Sequence, residues 1–124
     1  MKNAFVTTRD DVQRFLDDFF AKYKVFGILF RDLRQKNSKA LLGLEITPNK
    51  RKEIIENLKV EDYSEGPLDD TLYGLASMWV FGTKVKGIEV YIKISLGSFG
   101  TQVICISFHD AEHAMSYPFK NIQP

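Results

Sequence analysis

Three side chains that can take part in proton transfer lie in two neighbouring stretches of the sequence. Tyr91 and Lys93 are two residues apart in GIEVYIKISLG, and His109 ends the run TQVICISFH. Because side chains two residues apart on a β-strand share a face, Tyr91 and Lys93 are expected to point the same way. A base, an acid and a cation are the groups that metal-free cleavage of RNA requires.

Four further residues are candidates for binding a substrate. Lys50, Arg51 and Lys52 are consecutive, and such a run binds phosphate where the fold places it beside other cations. Trp79 precedes Tyr91 on a neighbouring strand and shares its face if the register allows, so its ring could stack on a base. We expect this set to bind RNA beside the proton-transferring residues.

The two histidines of the chain also have a spacing that zinc sites use. His109 and His113 are four residues apart, with Asp110 and Glu112 nearby. The segment begins at the end of a predicted strand, where helical spacing does not hold, and a third ligand would have to be a carboxylate. No glycine-rich phosphate loop is present either. We therefore expect neither a metal nor another cofactor.

Three strands are expected to position the candidate residues. SMWVFGTKV, GIEVYIKISLG and TQVICISFH are joined by tight turns at Lys86–Gly87 and Gly97–Gly100, which predicts an antiparallel meander. The second strand alternates apolar and polar residues. The third is apolar on both faces, which is typical of a central strand covered on both sides. Simple alternation places Ile104, Ile106 and Phe108 on one face of it.

The first helix has the strongest pattern in the sequence. Thr8 is the expected N-cap, and Gly27 is expected to end the helix. Its apolar stripe consists of Val12, Phe15, Leu16, Phe19, Phe20 and Tyr23. The next residues, 28–30, form a short apolar segment that could be a strand or a loop.

The second helix is expected to start at Thr47 and Pro48 and to continue to Leu58. A shorter helix is expected over 39–45. Residues 60–72 hold five acids and a Gly-Pro pair, which predicts an acidic loop. The tail after His109 is expected to contain a short helix before Pro118.

Length and composition favour one domain spanning residues 1–124. The chain has 44% hydrophobic and 27% charged residues, which is typical of a globular protein. No apolar run is long enough to cross a bilayer, and no secretory signal precedes the first helix, so we expect a cytoplasmic protein without a membrane partner. The single cysteine, Cys105, is expected to be a buried hydrophobe. The net charge of +1 does not indicate a DNA-binding protein.

These patterns together predict an α+β fold. Two main helices and a shorter one are expected to pack on one face of an antiparallel sheet of three or four strands.

Several short motifs between Ala40 and His109 resemble the MqsR-type (motility quorum-sensing regulator) toxins of bacterial type II toxin–antitoxin pairs. They are ALLGLEITPNKRKEI, DYSEG, MWVFG, EVYIKI and ICISF. These toxins are similar in fold to the RelE class. The resemblance implies a metal-independent endoribonuclease that cuts messenger RNA and is neutralised by a protein antitoxin.

The resemblance also implies roles for particular residues. The strand tyrosine of the family falls on Tyr91, its helix lysine on Arg51 or Lys52, and its C-terminal lysine on His109. Val80 stands where the family has a glutamine. From the resemblance and the strand pattern together, we expect Tyr91 to be a base or a base-stacking group and His109 to be the general acid, while Lys93 holds the phosphate together with Arg51 and Lys52.

An alternative of another class remains open. The near-zero net charge, the acidic loop and the missing glutamine also fit a small, non-catalytic protein that binds a protein partner through its sheet or an exposed strand.

Overall fold

The computed structural model describes residues 6–31, 43–70, 74 and 76–120. Within them lie α1 (Arg9–Phe26), β1 (Ile28–Phe30), α2 (Pro48–Glu56), one 3-10 turn (Val60–Asp62), β2 (Tyr63–Leu68), β3 (Met78–Val85), β4 (Ile88–Ser95) and β5 (Val103–Asp110). Neither helix in this described part has the length and apolar character that crossing a membrane requires. Most of the shorter helix expected over 39–45 lies outside the described residues.

Helix α1 begins and ends as its sequence predicts. The Thr8 side chain accepts a hydrogen bond from the Asp11 amide, and the Asp11 carboxylate accepts one from the Thr8 amide, which satisfies two otherwise unpaired N–H groups. Gly27 follows the last helical residue with φ of 82°, a left-handed value that glycine adopts without strain. The buried face carries Val12, Phe15, Leu16 and Phe19.

The described strands form one five-stranded sheet in the order β1-β5-β4-β3-β2. Strands β2 to β5 are antiparallel to their neighbours, which confirms the predicted meander, and β1 adds a parallel pair with β5. The α+β class is therefore correct, and the sheet is larger than the three or four strands expected. Strand β5 lies inside the sheet, and all its residues except Asp110 are buried.

Strand β2 lies within the segment predicted to be an acidic loop. It pairs with β3 through Tyr63 and Phe81 but shifts register twice before Leu68. The register shifts and the Gly66–Pro67 pair remove the regular alternation that identifies a strand in a sequence. Glu61 and Asp62, the first two acids of the predicted loop, belong to the 3-10 turn that precedes β2.

Both helices cover the same face of the sheet, and the core lies between the two layers. Ile55 of α2 joins the buried face of α1 in this core. The sheet contributes Phe81, Val85, Val90, Ile92, Ile94, Val103, Cys105 and Phe108. The ring of Phe15 stacks on that of Trp79 at 4.6 Å between centroids, so aromatic rings fill the space near the start of β3.

A β-bulge interrupts the pairing of β4 with β5. Ile94 pairs with Cys105, but its neighbour Lys93 pairs with Ser107 rather than with Ile106. Ile106 is therefore an extra residue in β5.

The bulge reverses the alternation of side chains along β5. Cys105 belongs to the core before the bulge and Phe108 belongs to it after the bulge, although i and i+3 positions of a regular strand face opposite sides. His109, next to Phe108, therefore faces away from the helices. The expectation that Ile104, Ile106 and Phe108 share one face is wrong, because an apolar strand gives no sign of where a bulge lies.

The tail after β5 differs from its prediction. Residues 111–120 contain no helix and follow an extended path with turns. Part of this segment packs against the sheet face that the helices leave uncovered.

Replacing Phe81 by alanine should lower the free energy of unfolding by about 3–5 kcal/mol, since the ring is fully buried between Phe15 and Tyr63. The matched control is Phe99→Ala, because Phe99 is fully exposed in the turn before β5 and its loss should change stability by less than about 0.5 kcal/mol. Urea denaturation measures both values, and equal losses would contradict the described core.

Candidate active site on the polar face of the sheet

The candidate site lies on the sheet face opposite the helices, where β4 runs between β3 and β5. Tyr91 pairs with Gly82 on one side and with His109 on the other. Lys93 is two residues along β4 and shares the face of Tyr91. The pairing of β4 with β5 thus brings together the three residues predicted to transfer protons and hold phosphate.

The rings of Tyr91 and His109 lie against one another. Their centroids are 5.2 Å apart, and the planes are inclined by 12°. Lys93 Nζ is 6.0 Å from the centroid of the Tyr91 ring. Only 7% of His109 is exposed, so Tyr91 and the strand hold the imidazole in a fixed orientation.

One hydrogen bond decides which nitrogen of His109 is available for chemistry. His109 Nδ1 lies 2.9 Å from the backbone oxygen of Asp110. A carbonyl oxygen only accepts hydrogen bonds, so Nδ1 carries the proton. In the neutral imidazole the lone pair is then on Nε2, so this is the ring nitrogen that can accept a proton.

A pocket of about 500 Å³ opens over this face. It is lined by Ser64, Glu65, Val80, Tyr91, Lys93, Ser107, His109 and the segment Glu112–Ser116. Residues 111–117 thus form one wall, and we call them the C-terminal strap. The volume accommodates a nucleotide-sized ligand.

Strand β4 anchors the strap at both ends through one residue, Glu89. The amide of Ala111 donates a hydrogen bond to the Glu89 carbonyl oxygen at 2.8 Å, and the Tyr117 hydroxyl donates one to Glu89 Oε2 at 2.7 Å. Burial, followed by the bond to Glu89, raises the pKa of Tyr117 above its usual value. Both anchors hold the strap across the polar face.

Gly82 provides the space in which the strap rests. A Cβ atom at this position would lie 2.8 Å from Met115 Sδ and closer still to the Tyr117 hydroxyl. Any other residue at this position would force the side-chain ends of Met115 and Tyr117 to move. A glycine within a strand of bulky residues is the sequence signal that could have revealed this close approach.

Trp79 and Thr83 lie on the other face of the sheet. In β3, Val80 and Gly82 are on the same face of the sheet as Tyr91, whereas Trp79 is on the helix-covered face and stacks on Phe15. The expectation that Trp79 stands beside Tyr91 is therefore wrong, because the register is offset by one residue from the one assumed. Its role in RNA binding stays a prediction.

Trp79 lines a second cavity, of about 880 Å³, between the start of α1 and the Gly66–Pro67 region of β2. Asp11, Arg14 and Asp18 also line it. The cavity therefore has side chains of both charges at its rim.

The basic residues of α2 lie in the helical layer and not at the pocket. The Arg51 guanidinium stacks over the Phe30 ring at 3.6 Å, and only 3% of the residue is exposed. Lys50 forms an ion pair with Glu53 at 3.0 Å, and Lys52 is exposed. The expectation that these cations lie beside Lys93 is wrong, since α2 packs on the opposite face.

The two histidines come from different elements, His109 from β5 and His113 from the strap, so no helix presents them together. Among the described residues no three metal-ligating side chains cluster. Both histidines nevertheless line the same pocket, which their sequence spacing did not predict.

Comparison of the chain with models of protein families, with curated proteins and with solved structures finds no match in any of the three.

Tyr117 should make stability sensitive to alkaline pH. Since its pKa is raised in the folded protein, its contribution is fully present below about pH 10 and is lost as pH rises toward the folded value, because the unfolded chain ionises first. The free energy of unfolding should thus fall less steeply above pH 10 in Tyr117→Phe than in the wild type. Denaturation at a series of pH values tests this, and identical slopes would contradict it.

Proposed function

We propose that this chain is a metal-independent endoribonuclease that cleaves messenger RNA on the polar face of its sheet. The observation that carries the proposal is the packing of His109 against Tyr91, with Nδ1 bonded to a backbone carbonyl and Lys93 nearby, at the wall of a nucleotide-sized pocket. This arrangement supplies a proton-transfer group, an aromatic ring and a cation in one place.

The reaction is an internal transfer at phosphorus. The ribose 2′-oxygen attacks the adjacent phosphorus atom and loses its proton to a base, while the bond from phosphorus to the 5′-oxygen breaks. The leaving 5′-oxygen receives a proton from an acid. The products are a 2′,3′-cyclic phosphate and a free 5′-hydroxyl, so that protons and electrons balance without an additional reactant.

Each residue of the face has a distinct part in this reaction. His109 transfers a proton through Nε2, because Nδ1 is committed to the Asp110 carbonyl. Tyr91 holds the imidazole and offers its ring for stacking on a base. Lys93 stabilises the negative charge that develops on the phosphate. Since Arg51 and Lys52 are on the opposite side of the sheet, they have no part at this phosphate.

The resemblance to the MqsR-type toxins supports the same proposal. Three positions carried over from it, Val80, Tyr91 and His109, line one pocket although they come from three strands. The role also includes a protein antitoxin as partner. The pocket has neither the family glutamine nor a basic residue from α2, so Lys93 and His109 carry more of the chemistry.

A second candidate function is a non-catalytic protein-interaction module. Its specific support is a group of exposed apolar side chains, Val25 and Phe26 at the end of α1 and Leu29 in β1. Strand β1 is at one edge of the sheet, so a partner could pair with it.

His109→Ala and Lys93→Met should each lower RNA cleavage by about 10²-fold or more, because each removes a group that acts on the reacting phosphate. The assay uses purified protein in EDTA, single-stranded RNA, and thermal melting to verify folding. Lys52→Met is the matched control, since Lys52 is a surface cation on the other side of the sheet, and it should retain wild-type activity.

An RNA with 2′-deoxyribose at the scissile position should resist the wild type. Cleavage of that substrate would contradict attack by the 2′-oxygen. If the wild type leaves every RNA intact while Leu29→Asp abolishes capture of a protein partner, the interaction module is the correct reading.

A further inference from the structure

We propose that His113 is the second proton-transfer residue of this pocket, and that the C-terminal strap exists to place it there. This inference rests on the proposed function. It assigns His109 as the base that accepts the 2′-hydroxyl proton and His113 as the acid that protonates the leaving 5′-oxygen. His109 therefore takes the role opposite to the general-acid role expected in the sequence analysis.

The strap places His113 by contacts at both of its ends. Ala111 bonds to the main chain of Glu89, and Tyr117 bonds to its side chain. The side chains of Met115 and Tyr117 also rest on Gly82. His113 lies inside the anchored stretch, so it stays at the pocket wall.

The second observation is the position of the imidazoles. The chain contains only two histidines, and both line the pocket that Tyr91 and Lys93 also line. Cleavage requires two proton transfers on opposite sides of the phosphorus atom. One histidine comes from the sheet and the other from the strap, and the proposal places the phosphate between them.

The two imidazoles differ in ways that suit the two roles. His109 is buried, and its neutral form presents the Nε2 lone pair, as a base must. His113 is exposed and regains a proton from solvent after each turnover. Lys93 from β4, Glu65 from β2 and Glu112 from the strap are the other charged side chains lining the pocket, and they set the local field at both imidazoles.

The test uses two substrates that differ only in their need for an acid. The first is a ribodinucleotide, whose 5′-alkoxide must be protonated. The second is a ribonucleoside 3′-(4-nitrophenyl) phosphate, whose nitrophenolate leaves without a proton. His113→Asn should lose about 10²-fold or more on the first substrate and remain within a few-fold of wild type on the second. His109→Asn should lose activity on both.

The pH profile provides a readout that a structural role would not change. The wild type should show a bell-shaped dependence of kcat/KM on pH, in which the alkaline fall reports the acid. His113→Asn should lose the alkaline fall and retain the acidic rise. Tyr117→Phe, which removes one anchor of the strap, should also lose activity on the dinucleotide more than on the nitrophenyl substrate.

The outcomes separate this inference from the proposed function. If the wild type cleaves RNA and His113→Asn has wild-type activity on both substrates, His113 is not the acid and the proposed function stands. Equal losses of His113→Asn on both substrates would also overturn the assignment. A folded wild type that cleaves neither substrate overturns the proposed function and this inference with it.

Discussion

The pairing of β4 with strands on both of its sides is the constraint on which the rest of the structure depends. Val90, Ile92 and Ile94 are completely buried under the helices, and their alternation with polar residues fixes which face Tyr91 and Lys93 occupy. A slip of one residue would expose the apolar row and bury a lysine, which is costly. The hydrophobic effect on one side of the sheet therefore positions the polar groups on the other.

The bulge at Ile106 extends this arrangement to β5. It lets Cys105 and Phe108 both face the helices, and it turns His109 toward Tyr91. A regular strand with Cys105 in the core would have directed His109 toward the helices instead. One inserted residue thus allows a largely apolar strand to contribute a polar side chain to the site.

The parts of the fold that local physics determines could be predicted from the sequence. Thr8, Asp11 and Thr47 mark helix starts because their side chains accept hydrogen bonds from free backbone amides, and Pro48 because it has no amide to leave unpaired. The shared face of Tyr91 and Lys93 follows from the period of two. The position of Trp79 could not be predicted, since the register between strands depends on packing across the whole sheet.

The same distinction applies to the candidate site. The side of the sheet on which Arg51 lies is set by how α2 crosses it, and no local pattern records that choice. The strap has no regular secondary structure, so its sequence shows no periodicity. The place of His113 at the pocket depends on the packing of Met115 and Tyr117 against Gly82, which no local pattern indicates.

The parallel pairing of β1 with β5 has a consequence for the order in which the protein acquires its shape. Ile28 pairs with Val103, so this edge of the sheet forms only through a contact between residues far apart in the chain. The residues proposed to cut RNA belong to β4, β5 and the strap, which follow α1 in the chain. The apolar face of α1 is therefore synthesised before the strands that cover it and is exposed until they pair.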